Sequence, residues 1–326
     1  MERSQAHPME ELKRMLERIL DVIPPGSNIV YVDYPVHENI GDLLILQGTE
    51  RFFQDHGIRV RKRLSYLQFR KGMRLPPEWI VVCHGGGNFG DLYPANQKLR
   101  ETLARTYPAN RIVVLPQTVY FSDEEERERS LAVFASHPDF HLFVRDRVSY
   151  DLAADRLPRV YLSPDMAHQL YPIESPPSPA GPRLGILRTD GEAAREGDER
   201  VGCDIRTDWP ELLSKADYAM QRVLVLASSL DRYLLNLLPV RPLWYRLANR
   251  FVAKAVRLYG SCGSVVTSRL HGHILACLMG VPNRLLDNNY GKNGSYYRQW
   301  TYRVREGKDF ENGTGNDLGG MYAESS

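Results

Sequence analysis

Short apolar runs alternating with helical patterns constrain this 326-residue chain more than any other feature. Asn28 to Asp33 (NIVYVD), Trp79 to Cys83, Ile112 to Leu115 and Phe140 to Val144 are too short for buried helices and rich in β-branched residues, so they read as strands. Helices are predicted between them, at about Asp42 to His56, Asn96 to Tyr107 and Asp123 to Ser136. Successive parallel strands need crossover connections, and this alternation supplies them, so the fold class is α/β with a parallel sheet covered by helices on both faces. An amphipathic helix over Met9 to Ile23, with Leu12, Met15, Leu16, Ile19 and Leu20 on one face, precedes the series and stops at Pro24, Pro25 and Gly26.

A second series follows Ser175 to Pro182 (SPPSPAGP), whose prolines remove backbone donors and suit a linker rather than a sheet. Beyond it come a strand at Arg183 to Leu187, a polar loop from Asp190 to Asp208, long helical segments, a strand at Ser264 to Ser268 and a helix from about His271 to Met279. The expected organisation is therefore two doubly wound domains facing a cleft. They are residues 1–174 and 183–305, joined by the linker 175–182 and followed by a flexible tail at 306–326.

Composition excludes several classes. Hydrophobic residues at 43% and charged residues at 25% are the balance of a globular protein, and a net charge of +2 gives no argument for nucleic acid. No stretch reaches the roughly 18 apolar residues of a membrane span. The polar start, Met1 to Glu11, lacks a signal core, so a cytoplasmic protein is expected. Cys83, Cys203, Cys262 and Cys277 show neither zinc-knuckle nor redox spacing. There is no His-Glu-x-x-His and no Gly-x-Ser-x-Gly, and the dispersed histidines predict neither metal nor cofactor.

Ligands of open α/β sheets bind beyond the carboxyl ends of strands, which directs attention to three strand-to-helix junctions. In the first, Gly41 permits close backbone approach and Asn39 or Asp42 can cap the helix. In the second, His84 is followed by Gly85, Gly86 and Gly87, whose unobstructed amides suit an anion, with Asn88 and Asp91 beside them. This is neither a Walker loop nor a dinucleotide fingerprint. In the third, Ser268, Arg269, Leu270, His271, Gly272 and His273 open a helix. Arg269 brings a fixed fork of donors and His271 a group that exchanges protons near neutral pH, while His273 reads as a core residue. Weaker signals are Pro116-Gln117-Thr118, Arg145-Asp146 and Ser163-Pro164-Asp165.

Together these junctions resemble the polysaccharide pyruvyl transferase family. The matching pieces are NIGD at Asn39–Asp42, GGGNFGDLYP at Gly85–Pro94, LPQT at Leu115–Thr118 and RDRVSY at Arg145–Tyr150. They continue with SPDMA at Ser163–Ala167, TSRLHGHILACLMGVP at Thr267–Pro282 and DNNYGKNGSYYRQW at Asp287–Trp300. The likeness is greatest to the exopolysaccharide and biofilm-matrix branch. It implies two Rossmann-like domains similar to GT-B glycosyltransferases, with phosphoenolpyruvate as donor and a sugar of an exopolysaccharide precursor as acceptor. On that resemblance Arg269, Leu270, His271 and Gly272, with Ser268, match the donor-binding segment. Arg145 matches a second donor-binding arginine, and His84 is a further candidate catalytic histidine.

Phosphoenolpyruvate needs positive charge at two places, which Arg269, Arg145 and the Gly85–Gly87 amides can offer. His271 is the expected acid–base group. Asn39, Gly41, Asp42, Asn88, Asp91 and Gln117 are assigned to the acceptor and anion side. Two other readings stand beside this one: a GT-B-type glycosyltransferase using a nucleotide sugar, and a non-catalytic sugar-phosphate-binding protein. A last expectation concerns a basic helix near residues 243–258, where Trp244, Leu247, Phe251, Val252 and Leu258 form one stripe. Arg246, Arg250, Lys254 and Arg257 form another, so the helix reads either as a surface element of the second domain or as a peripheral contact with the inner membrane surface and a lipid-linked acceptor.

Overall fold

The five residues Asn28–Val32 form β1, buried from Ile29 onward. Alternate side chains point to opposite faces of a strand, and here both faces are covered: Ile29 and Tyr31 enter one core, Val30 and Val32 a second. The computed structural model describes residues 6–174, 178–189, 202–234, 236–287 and 292–304. The expected tail at 306–326 and most of the Asp190–Asp208 loop lie outside them.

Along the chain, α1 (Pro8–Met15) precedes β1. It is shorter than the predicted helix because Leu16–Asp21 tightens into a 3₁₀ turn. After β1 come α2 (Ile40–Asp55), β2 (Arg59–Leu64), β3 (Ile80–Cys83), β4 (Gly86–Gly90), α3 (Pro94–Thr106), β5 (Ile112–Tyr120), α4 (Glu124–Ala135), β6 (Phe140–Val144), α5 (Arg147–Ala154) and β7 (Val160–Leu162). A second series contains β8 (Arg183–Ile186), β9 (Ile205–Thr207), α6 (Lys215–Asp231), α7 (Val240–Gly260), β10 (Ser264–Thr267), α8 (Leu270–Met279), β11 (Asn283–Leu285) and α9 (Lys292–Tyr296).

The chain is thus an α/β protein with two parallel sheets. The first has seven strands in the order β2-β1-β3-β5-β6-β7, with β4 also on β5. The second has four in the order β11-β10-β8-β9. In each sheet the chain starts near the middle and winds outward both ways, which creates a crevice between β1 and β3 and another between β8 and β10. Such switch points are where open α/β sheets bind ligands.

Three strands depart from the sequence reading. β2 carries RVRKRL, too basic to read as a strand, but it lies at the sheet edge, where charge guards the unpaired backbone. β9 falls inside the predicted polar loop and covers the other sheet's edge. The glycine segment is not an open loop: from Gly86 it is a strand that prolongs the line of β3 along β5, pairing Gly86 with Gln117 and Gly90 with Tyr120. Its glycines are demanded by contact, because a Cβ at Gly85 would lie 2.8 Å from the Pro116 carbonyl oxygen and one at Gly90 only 1.7 Å from that of Tyr120.

One apolar core is continuous between the sheets. Ile29 and Val82 of the first sheet share it with Leu184 and Val265 of the second, and Leu43, Leu44, Ile45 and Leu46 of α2 fill the space between. Gly48 lets α2 seat there: a Cβ would meet the Met166 carbonyl oxygen at 2.1 Å. The apolar stripe of α7 belongs to this core, with Trp244, Leu247, Phe251 and Val252 buried. Two of its basic residues, Arg250 and Lys254, pair with the buried carboxylate of Asp217. Of the two readings of residues 243–258, the burial of this stripe accords with a surface element packed on the second sheet's side of the core. Among the described residues no helix is long and apolar enough to cross a membrane.

Candidate active site

Segments that follow β1, β3, β6 and β7, with Thr118 of β5, meet at the start of α8, and several of the residues singled out at the junctions come together there. At the centre is Asp165, fully buried. One of its carboxylate oxygens accepts from Arg145 Nη1 at 2.6 Å and lies 3.2 Å from His271 Nε2. The other accepts from the Ala167 amide at 2.9 Å. Burial alone would raise the Asp165 carboxyl, but His271 and Arg145 outweigh it and hold the group well below the usual carboxylate range. It is therefore an anion at any physiological pH.

His271 sits in the first turn of α8 with its side chain 12% exposed. Its Nε2 is taken by Asp165, and Nδ1 faces α2, where a Cβ on Gly41 would fall 2.7 Å away. The glycine of the first junction thus gives the imidazole its room. Asn39 caps α2, its Oδ1 accepting from the Gly41 amide at 3.0 Å and its amide donating to Asp42 at 2.9 Å. Asp42 in turn lies against Gly86, 3.4 Å from a Cβ built there. Arg145 Nε donates to the Thr118 hydroxyl at 2.8 Å, and its Nη2 comes within 3.3 Å of a Cβ at Gly87. The three junctions therefore converge, through Gly41, Gly86, Gly87, Arg145 and His271.

The other residues hold this cluster rather than face into it. The side-chain amide of Gln117 donates to the His84 carbonyl and to Asn88 Oδ1, and its oxygen accepts from the Asn88 amide. Gln117 and Asn88 thus clamp β4 onto β5. Arg100 reinforces the clamp by donating to the Asn88 carbonyl while paired with Asp33 at 3.0 Å, both side chains 1% exposed. Asp33 has a left-handed backbone (φ 70°) at the end of β1, a strained conformation for a residue with a side chain. Burial pushes its carboxyl up to about 6 against the pull of Arg100. Asp91 does not join the cluster: its carboxylate accepts from the Ser122 amide and hydroxyl and from the Asp123 amide beyond β5.

His84 is fully buried and burial drives it down to about 3, so the ring is neutral. Its Nδ1 is 2.5 Å from the Tyr31 hydroxyl, and its Nε2 has no partner among the described residues. Arg269 is not a free fork. It is buried and doubly paired to Asp208, whose carboxylate also caps the turn at Trp209. Ser268 receives the Arg188 amide on its hydroxyl at 2.9 Å, Leu270 begins α8, and Gly272 is pressed against Thr267, 2.3 Å from a built Cβ. His273 is buried between Asn283 and Thr301, with burial lowering it to about 4.

In the sequence Asp165 is only a weak signal, and the segment that supports it stands out only as a piece of the family likeness, with no role for its residues. The Tyr296 hydroxyl accepts from the Asp165 amide at 3.0 Å and bonds His168 at 2.9 Å, while the Trp300 indole donates to the Arg145 carbonyl at 2.7 Å. Residues 292–304 thus return from the second sheet to hold the ends of β6 and β7. The aromatic density of SYYRQW was the available signal, though nothing local told where those rings would go. Among the described residues, no three His, Cys, Asp or Glu side chains are grouped to hold a metal ion.

Residues 39–290, which contain all three junctions, match the family described as polysaccharide pyruvyl transferase. A protein of Bacillus subtilis named provisionally as the pyruvyl transferase EpsO is 42% identical over 296 residues, covering 90% of this chain and 92% of its own. Pyruvyl transferase 1 of Schizosaccharomyces pombe is 30% identical over 297 residues, covering 85% of this chain and 70% of its own. A crystal structure of a functionally uncharacterised Klebsiella pneumoniae protein superposes with a TM-score of 0.56 at 19% identity, covering 88% of this chain and 94% of that one, a likeness of fold. By the extent of the family match and the identity to these relatives, the chain belongs to the polysaccharide pyruvyl transferase family.

Proposed function

We propose that the chain transfers pyruvate from phosphoenolpyruvate to two hydroxyls of an exopolysaccharide-precursor sugar, forming a ketal and releasing phosphate. The observation that carries this reading is His271 held against a buried anionic carboxylate, beside Arg145, where the two sheets face each other. This is a proton-transfer group next to fixed positive charge, the pair of functions the reaction needs. The two opposed sheets suit a GT-B-like pair of Rossmann-like units, with the acceptor on the first sheet's side and the donor on the second's.

In this mechanism the first sugar hydroxyl adds to C2 of the enol phosphate. C3 receives a proton from His271, and the hydroxyl's own proton returns to the imidazole. The C2–O bond to phosphate then breaks with its electron pair leaving on phosphate, and the second hydroxyl closes the ring at C2, giving its proton to the departing group. Asp165 fixes the imidazole and stabilises its cationic form. Arg145 and the positive start of α8 neutralise the phosphate and carboxylate without a metal. Arg269, paired to Asp208 through Nε and Nη2, shapes the start of α8. Asn39 and Asp42 orient the acceptor hydroxyls.

The test is incubation with phosphoenolpyruvate and lipid-linked or nucleotide-linked sugars. Phosphate release matched by a sugar heavier by one pyruvic acid less one water is expected. Release of a nucleotide with glycosyl transfer, or binding with no turnover, would overturn the assignment.

A further inference from the structure

The face of α6 turned away from the core is apolar and uncovered. Leu224, Ser228 and Asp231 form the buried face. On the outer one, Met220, Val223, Leu226 and Leu230 recur at steps of three and four residues and are between 51% and 62% exposed. Tyr233 and Leu237, 73% and 79% exposed, continue past the helix end. A contiguous apolar patch on the surface of a soluble protein marks a contact surface.

Charge indicates what the contact is. From Tyr218 to Leu286 the only acidic residue is Asp231, which is fully buried and accepts from Gln68 and the Leu238 amide. Where the apolar face ends, a cavity of about 600 Å³ opens, with Arg70, Lys71, Lys98 and Arg232 in its walls and no carboxylate among the lining residues. Arg70 Nε is buried there without a partner among the described residues, a donor suited to an oxygen from outside. Tyr66 and Tyr233 stand at the rim, amphipathic rings of the kind that sit at headgroup level. A second copy docked on the same patch would set one unneutralised basic rim against another, which disfavours self-association. An anionic surface with an apolar interior satisfies both halves of the patch.

We infer that the outer face of α6 and the adjoining basic cavity dock the protein on an anionic membrane, the leucines entering the acyl boundary and the cavity taking a lipid headgroup phosphate. The inference does not depend on which sugar accepts the pyruvate.

The test is co-flotation of the full chain with vesicles of phosphatidylcholine containing phosphatidylglycerol, and with vesicles of phosphatidylcholine alone. Binding to the first only, weakening as salt rises, is expected. Replacing Lys71, Lys98 and Arg232 with Gln should reduce it by about 100-fold, roughly fivefold for each charge near the surface. Leu226→Gln with Leu230→Gln should reduce it by about tenfold or more, two leucines being returned to water. All five side chains are exposed, and unchanged thermal melting confirms that the variants fold. Three outcomes would overturn the inference: equal binding to both vesicle types, binding of inorganic phosphate without vesicle binding, or a dimer in sedimentation that the leucine variant dissolves.

Discussion

His271, Asp165 and Arg269 show how much a residue's neighbours decide. His271→Ala is expected to lower kcat by about 100-fold or more with a much smaller change in donor affinity, because the imidazole acts on the chemical step. Single-turnover measurements separate the two, and a collapse of donor affinity with chemistry intact would make His271 a binding residue. Arg269→Ala is expected to behave differently. It leaves Asp208 as a buried unpaired carboxylate, so the loss should include stability, on the order of 3–5 kcal/mol in urea unfolding. A variant with wild-type stability and no turnover would show Arg269 to be a donor ligand after all. The local motif Ser-Arg-Leu-His named both residues, but the carboxylate that each one faces lies about a hundred and about sixty positions away, and no spacing rule connects them.

At the scale of elements, α2 carries two glycines whose substitutions weigh unequally on function and folding. Gly41→Ala adds a methyl 2.7 Å from His271 Nδ1 and 2.9 and 3.0 Å from its Cγ and Cβ, so the imidazole as a whole must shift from its place against Asp165. It is expected to cost turnover and to lower melting less than Gly48→Ala does, since a displaced side chain gives way more readily than backbone. Gly48→Ala adds its methyl 2.1 Å from the Met166 backbone oxygen, which cannot turn aside. It is expected to lower the melting temperature markedly, and equal melting of the two variants would refute the contrast. Strand β4 is the parallel lesson. Its glycines signal a tight approach, but only the pairing with β5 reveals that they form a strand clamped by Gln117 rather than an open cradle.

The whole molecule should be acid-labile. His84 is lowered to about 3 and His168 and His273 to about 4, each chiefly by burial. An unfolded histidine titrates near 6.5, so between about pH 6.5 and 4 the unfolded chain binds more protons at all three. Their contribution is complete above pH 6.5 and is lost as pH falls, at up to about 1.4 kcal/mol per pH unit for each ring. Asp33, raised to about 6, works in the opposite sense over part of this window, but three rings outweigh one carboxyl. Urea midpoints are therefore expected to fall steadily below pH 6.5, and His273→Gln should flatten the decline. A midpoint constant from pH 7 to pH 5 would contradict the burial of these rings.

The sequence by itself determined the α/β class, most of the central strands and the three junctions, because apolar periodicity and glycine placement are local signals tied to local backbone geometry. It also pointed to the family, whose motifs lie at those junctions. Tertiary structure alone decided which charges meet. It put Asp165 between Arg145 and His271 and drew Tyr296 and Trp300 back under the site, and it closed Arg269 onto Asp208. It also buried the apolar stripe of α7 while leaving apolar side chains of α6 in solvent, where the sequence shows only a helical segment. The physical reason is the same throughout: a helix pattern fixes which side chains share a face, but what covers that face is set by contacts between segments far apart in the chain.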